Sequence, residues 1–436
     1  MTNTTRTIAL LVVLALAVAT FSLTAAENRT FAIRDAKVYT MGAAGVLPKA
    51  TVVIVDGKIA AVGPTVKIPA GAQIINGQGL EVYPGMINSW SNLGLTEVGA
   101  VPVTNDSSEI GGDYNAHIMA FTAFHVESEH IPVARVNGVT ACVSVPSGGV
   151  ISGQAALMHL DGWSQAEMAI NKSAGMVVAF PSIGGGRGGR GGGGGAPAGR
   201  GRSFTEARRA YERQVKDLSE VLEQARHYAA AREADPSTTR DRRLDALIPV
   251  VKGQMPVFFQ AQSARDIRNA VEFAKKEKLN CVIQGGRESN RVADLLKKEN
   301  VPVILGSIVT MPAREDAPYD SPFTVPRDLG KAGVKFALTS PSSSDVRNLP
   351  YEAGFAEAYG LPHADALRAV ILSPAEILGV ADKMGTIEVG KIADLVVTDG
   401  DLLELRTQVK NLFIAGKNVS LETKHTRLYK KYIERP

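Results

Sequence analysis

Histidine and cysteine are scarce in this chain, with seven and two in 436 residues. Two cysteines alone cannot make a zinc-ribbon site. Cys142 and Cys281 both sit in apolar, strand-like runs, and they read as two buried free thiols in preference to a disulfide. Charge of one sign is also lacking. The 48 Lys and Arg against 44 Asp and Glu leave a net charge of +4, too small to argue for nucleic-acid binding over the whole surface. Beyond the N-terminus no apolar run reaches the roughly 20 residues that a bilayer span needs. No Gly-x-Ser-x-Gly elbow stands out, so the serine-rich Ser340–Asp345 reads as a polar loop. The glycine loop Ser147–Gln154 lacks the Lys-Ser/Thr pair of a phosphate-binding loop and reads as a loop at a barrel mouth.

What is present begins with an address. Arg6 precedes an unbroken apolar run from Ile8 to Ala19, and Thr24-Ala25-Ala26 offers small residues for cleavage. This predicts a signal peptide over 1–26, an exported chain in the periplasm or outside the cell, and no membrane span after cleavage. An uncleaved anchor is the alternative. With 45% apolar and 21% charged residues, the remainder can bury a large core.

Residues 29–83 read as short strands, with Asp56-Gly57 between two alternating runs as a hairpin signal. Residues 385–425 repeat that pattern, so the two ends are expected to form one composite β-sandwich. Between them, 84–384 alternates strands and helices, the pattern of an α/β fold with a parallel sheet. Ser203 and Ser263 stand as caps before long helical stretches. The count of β/α pairs suits a (β/α)8 TIM-like barrel. Residues 184–202 are almost all Gly and Arg, which predicts a flexible insertion. Its Arg-Gly-Gly repeats have no interleaved aromatics, so no nucleic-acid partner is expected.

Three segments carry a family resemblance. They are Asp56-Gly57-Lys58-Ile59-Ala60-Ala61-Val62-Gly63, then Val82-Tyr83-Pro84-Gly85-Met86-Ile87-Asn88, and then Gly385-Thr386-Ile387-Glu388-Val389-Gly390-Lys391-Ile392-Ala393-Asp394-Leu395. Over residues 29–420 the chain resembles the amidohydrolase superfamily, in its imidazolonepropionase-like branch. The resemblance implies hydrolysis of non-peptide carbon–nitrogen bonds by a water activated on zinc or another divalent metal. It also implies His-x-His on the first barrel strand, histidines near the fifth and sixth, and an aspartate on the eighth.

The chain departs from that set at each place. Trp90 and Asn92 stand at the His-x-His positions, and Gln260 and Gln262 on the fifth strand. Gln284 or Gly285 falls on the sixth, and Ser340 replaces the aspartate. An indole cannot ligate a metal, and an amide oxygen is a poor zinc ligand beside imidazole. These seven residues are expected to line a pocket of neutral hydrogen-bonding groups with one aromatic face. A weak substitute site is His125, Glu129 and His130, where His125 and Glu129 would lie one helical turn apart. The expected role is a pseudoenzyme with no cofactor that binds a small polar or peptide-like ligand or a partner. That partner would be a metal-competent relative or a second copy in an oligomer. The alternatives are an active hydrolase with relocated ligands and a structural surface component.

Overall fold

The computed structural model describes residues 30–109, 111–183 and 203–435. The expected signal peptide and the Gly/Arg-rich insertion lie outside the described residues. Five strands open the fold: β1 Phe31–Tyr39, β2 Val46–Val55, β3 Lys58–Gly63, β4 Gln73–Asn76 and β5 Glu81–Pro84. Eight more build the middle: β6 Met86–Ser91, β7 Val139–Ser144, β8 Ile151–His159, β9 Ala169–Ala179, β10 Val257–Ala261, β11 Cys281–Gly285, β12 Val303–Leu305 and β13 Phe336–Ala337. The last three are β14 Leu395–Thr398, β15 Val409–Ile414 and β16 Lys417–Asn418.

The two ends of the chain share one hydrogen-bonded sheet of eight strands, in the order β16-β15-β14-β5-β1-β2-β3 with β4 on β1. Its join is β5 against β14, antiparallel, with Glu81 opposite Thr398 and Pro84 opposite Leu395. The Asp56-Gly57 turn links β2 to β3 with φ of 48° and 81°. Two successive positive φ values define the hairpin turn whose twist matches its strands.

The second sheet runs β6 to β13 in sequence order and forms the nearly closed barrel of a TIM-like α/β fold. Its departure from regular (β/α)8 alternation is β8, which lies antiparallel to both β7 and β9. Residues 145–150 between β7 and β8 are too few for a crossover helix, and an antiparallel return needs none. The glycine loop read from the sequence therefore ends at Val150, and Ile151–Gln154 belong to a buried strand. The outer helices follow their caps. Ser203 and Glu206 form a reciprocal capping box at the head of Phe204–Ala234, and the Ser263 hydroxyl accepts from the Asp266 amide at the head of Ala264–Lys276. No helix among the described residues is long and apolar enough to cross a membrane.

Alternation along the strands divides the core in two. Ile87, Val143, Leu157, Val177, Phe258, Val282 and Ile304 fill the barrel interior, joined by Leu378 and Met384 beyond the last strand. The opposite faces pack against the helices.

One buried ion pair ties barrel to terminal sheet. His159 Nε2 at the end of β8 lies 3.0 Å from Asp394 Oδ2, and both residues are buried. Asp394 also accepts the Ala415 amide on Oδ1 at 2.7 Å, and its carbonyl accepts the Gly85 amide at 2.8 Å. Gly85 has no room for a side chain, since a Cβ there would lie 2.1 Å from Thr140 Oγ1. Burial alone would hold the His159 imidazole neutral. The charge and hydrogen bond of Asp394 outweigh burial and raise its pKa above the ordinary value. A raised folded-state pKa stabilises the fold below the unfolded value of about 6.5, and that contribution is lost as pH climbs through the folded value. Urea unfolding of the wild-type chain should therefore show stability falling as pH climbs above the unfolded value of about 6.5, and His159→Gln should flatten that slope. An equal slope in both chains would show that the pair is not its source.

Candidate functional site

In a parallel barrel, chemistry sits at the C-terminal strand ends. Here that end is shaped by the seam between β6 and β13, the two strands that end the sheet order. Asn88, fully buried on β6, spans the seam with its side chain. Its Oδ1 accepts the Ser340 amide at 2.9 Å and the Thr339 hydroxyl at 2.8 Å, and its Nδ2 donates to the Ser340 carbonyl at 2.9 Å. Thr339 Oγ1 also lies 2.7 Å from the Trp90 carbonyl. Asn92 continues the clamp: its amide donates to the Pro341 carbonyl at 3.2 Å, and its Oδ1 accepts the Ser343 amide at 2.7 Å.

The seven residues singled out in the sequence fall into separate settings. Trp90 is only 8% exposed and packs edge-on to Phe258, ring centroids 5.9 Å apart, as part of the barrel interior. Asn92 and Ser340 belong to the seam, and the Ser340 hydroxyl donates to the Asp345 carbonyl at 2.7 Å. Gln260 and Gln284 are paired in register across β10 and β11. Each lies two residues beyond an interior apolar residue, Phe258 or Val282, so the two amides face inward above the apolar layer. Gln262 lies over Gly285, which at φ +99° has no room for a Cβ beside the Gln262 amide. Thus Trp90, Gln260 and Gln284 meet at the interior, Asn92 and Ser340 hold the rim, and Gln262 with Gly285 forms the lip beside β11.

The His125, Glu129 and His130 alternative does not hold. His125 precedes the helix His130–Arg135, so it and Glu129 do not share a helical turn. His130 Nε2 lies 2.8 Å from the Glu97 carbonyl, and Glu129 pairs with Arg427 at 3.2 Å. The Ile131-Pro132 step permits helix only from His130 onward. Among the described residues no three His, Cys, Asp or Glu gather as a metal site. The donor chemistry at the strand ends does not fit a divalent metal: one indole, neutral amides, and a hydroxyl whose proton is already given to a carbonyl. The cysteines offer no nucleophile. Burial pushes both thiols up to about 12, and both are free.

Glu352 is the polar residue that sequence reasoning passed over, beyond noting its place in the family pattern. It is 3% exposed on the helix Leu349–Ala358. Its carboxylate accepts from Ser307 Oγ at 2.5 Å and from the amides of Ile308 and Val309 at 2.8 and 3.3 Å. Burial raises its pKa, against the pull of those three hydrogen bonds. It fixes the chain leaving β12, on the same end of the barrel.

Residues 272–419 match the family model described as Amidohydrolase family. The solved amidohydrolase from Thermotoga maritima MSB8 superposes with a TM-score of 0.76, covering 89% of this chain and 99% of its own at 23% identity. The chain thus carries a partial match to the amidohydrolase family and shares the amidohydrolase fold over most of its length. The amidohydrolase fold is shared at TM-score 0.53 and 16% identity with a prolidase complexed with N-methylphosphonate-L-proline, over 90% of this chain and 99% of that one. By sequence, the amidohydrolase tasK of Hapsidospora irregularis is 22% identical over 83% of this chain. An N-acetylglucosamine-6-phosphate deacetylase of Caenorhabditis elegans is 36% identical over 20% of it. The chain spans only 38% and 20% of the length of these two relatives. An amidohydrolase, a prolidase and a deacetylase are thus among the proteins this chain is similar to, and they do not single out one branch.

Asn88→Ala should destabilise the protein by about 2–4 kcal/mol, because it strips buried partners from Ser340 and Thr339. Chemical denaturation measures this, and a loss below about 1 kcal/mol would mean the seam is held by other contacts.

Proposed function

We propose that this protein is an exported, non-catalytic member of the amidohydrolase family that binds a small ligand or a partner without a metal-activated water. The observation that supports this is Trp90. Its ring packs on Phe258 in the barrel interior, where the family resemblance calls for a histidine of the metal pair. The inward-facing Gln260 and Gln284 support the same reading, since neutral amides can bond a polar ligand but cannot drop the pKa of a bound water. Fold alone does not establish hydrolysis. Export rests on the N-terminal apolar run, and a metal-competent relative or a second copy is the partner proposed with it.

Metal analysis of the purified full chain is the direct test. Less than roughly one tenth of an equivalent of divalent metal should be bound, and added zinc should leave the unfolding temperature unchanged, because a native-state site would raise it. A full equivalent of tightly held metal would overturn the reading and favour an active hydrolase of carbon–nitrogen bonds.

A further inference from the structure

Beside the lip formed by Gly285, at the C-terminal ends of β11 and β12, lies a cavity of about 320 Å³. This is the small end of the range for ligand pockets, roughly 300–1,000 Å³. Its apolar wall includes the buried Leu305, Ile308 and Val325. The wall is pre-set, because the buried Glu352 carboxylate holds Ser307, Ile308 and Val309 in place.

The charges around this cavity decide what it can take. Three arginines and three carboxylates line it. Arg291 pairs with Glu288 at 3.1 Å, while Arg314 pairs with Asp316 at 2.9 Å and reaches Glu288 at 4.0 Å. One cation and one anion are left over. Arg287 Nη2 donates only to the neutral Thr310 hydroxyl, at 3.3 Å, and is in no ion pair among the described residues. Asp320, at the start of the helix Ser321–Ala332, gives its side chain to no cap and is likewise in no ion pair among the described residues. The two do not pair with each other, although both line the same cavity.

We infer that this cavity binds a free α-amino acid with an apolar side chain. The ligand carboxylate meets the guanidinium of Arg287, whose planar fork suits a carboxylate. The ligand ammonium meets Asp320, and its side chain lies on Leu305, Ile308 and Val325. A plain anion would leave Asp320 unmatched, and a plain cation would leave Arg287 unmatched. This names a site and a ligand class for the binding role proposed above, and it rests on that role.

The test is thermal unfolding of the full chain with L-leucine, L-methionine or L-phenylalanine, and with their N-acetyl forms, each at about 1 mM. At least one free amino acid should raise the midpoint by roughly 2 °C or more, and its N-acetyl form should not. In titrations, Arg287→Gln and Asp320→Asn should each weaken binding at least about tenfold, the expected loss for a charge-assisted contact. No shift with any of the three, or equal affinity in Arg287→Gln, would overturn the inference. Metal content of the same sample separates the two readings. Metal-free protein that binds no amino acid defeats the cavity assignment alone. Metal-loaded protein defeats the non-catalytic reading, whatever the cavity binds.

Discussion

The barrel is held shut by an amide. β6 and β13 stand at the two ends of the sheet order, so main-chain pairing does not close it. Asn88 supplies what the ladder lacks, offering an acceptor to one amide and one hydroxyl and a donor to one carbonyl. A carboxylate at that position could not donate to the Ser340 carbonyl, and an apolar residue could do neither. Because Asn88 is fully buried, each partner it leaves would have no water to turn to. The positions of Trp90, Asn92 and Ser340 follow from this closure, since all three lie within four residues of Asn88 or are its direct partners.

With the seam fixed, the interior becomes a packing problem with a particular solution. Trp90 and Phe258 meet edge to face in the upper part of the barrel, an arrangement aromatic rings favour. Aromatic volume there, with the Gln260 and Gln284 amides above it, makes this part of the interior neutral. The fold around it is that of the amidohydrolases. Beside the axis, the loops after β11 and β12 carry their own charges. Glu352 orders one of those loops from beneath, and its raised pKa reflects how thoroughly it is enclosed.

Much of the fold was legible in the sequence. The Asp56-Gly57 turn, the Ser203 and Ser263 caps, and the strand-helix alternation from Met86 onward are local signals, set by backbone preference and side-chain spacing over a few residues. The neutral character of Trp90, Asn92, Gln260, Gln284 and Ser340 was legible as well, because donor chemistry belongs to residue type. The reversal of β8 was not. Ile151–His159 is buried on both faces, and such a run carries no mark of parallel or antiparallel pairing. The histidine spacing of His125 and Glu129 misled for a related reason: it assumed one continuous helix, and the chain turns before His130.

The sequence by itself determined the family resemblance, the local elements and the neutral side chains of Trp90, Gln260, Gln284 and Ser340. Each of these depends on the identity of residues close together in the chain. Only the tertiary structure decided which polar groups became partners. Asn88 meets Ser340 across 252 residues, His159 meets Asp394 across 235, and Arg287 and Asp320 line one cavity with no ion pair among the described residues. A contact between distant segments is chosen by how the barrel closes and the sheets dock, and no short-range pattern records that choice.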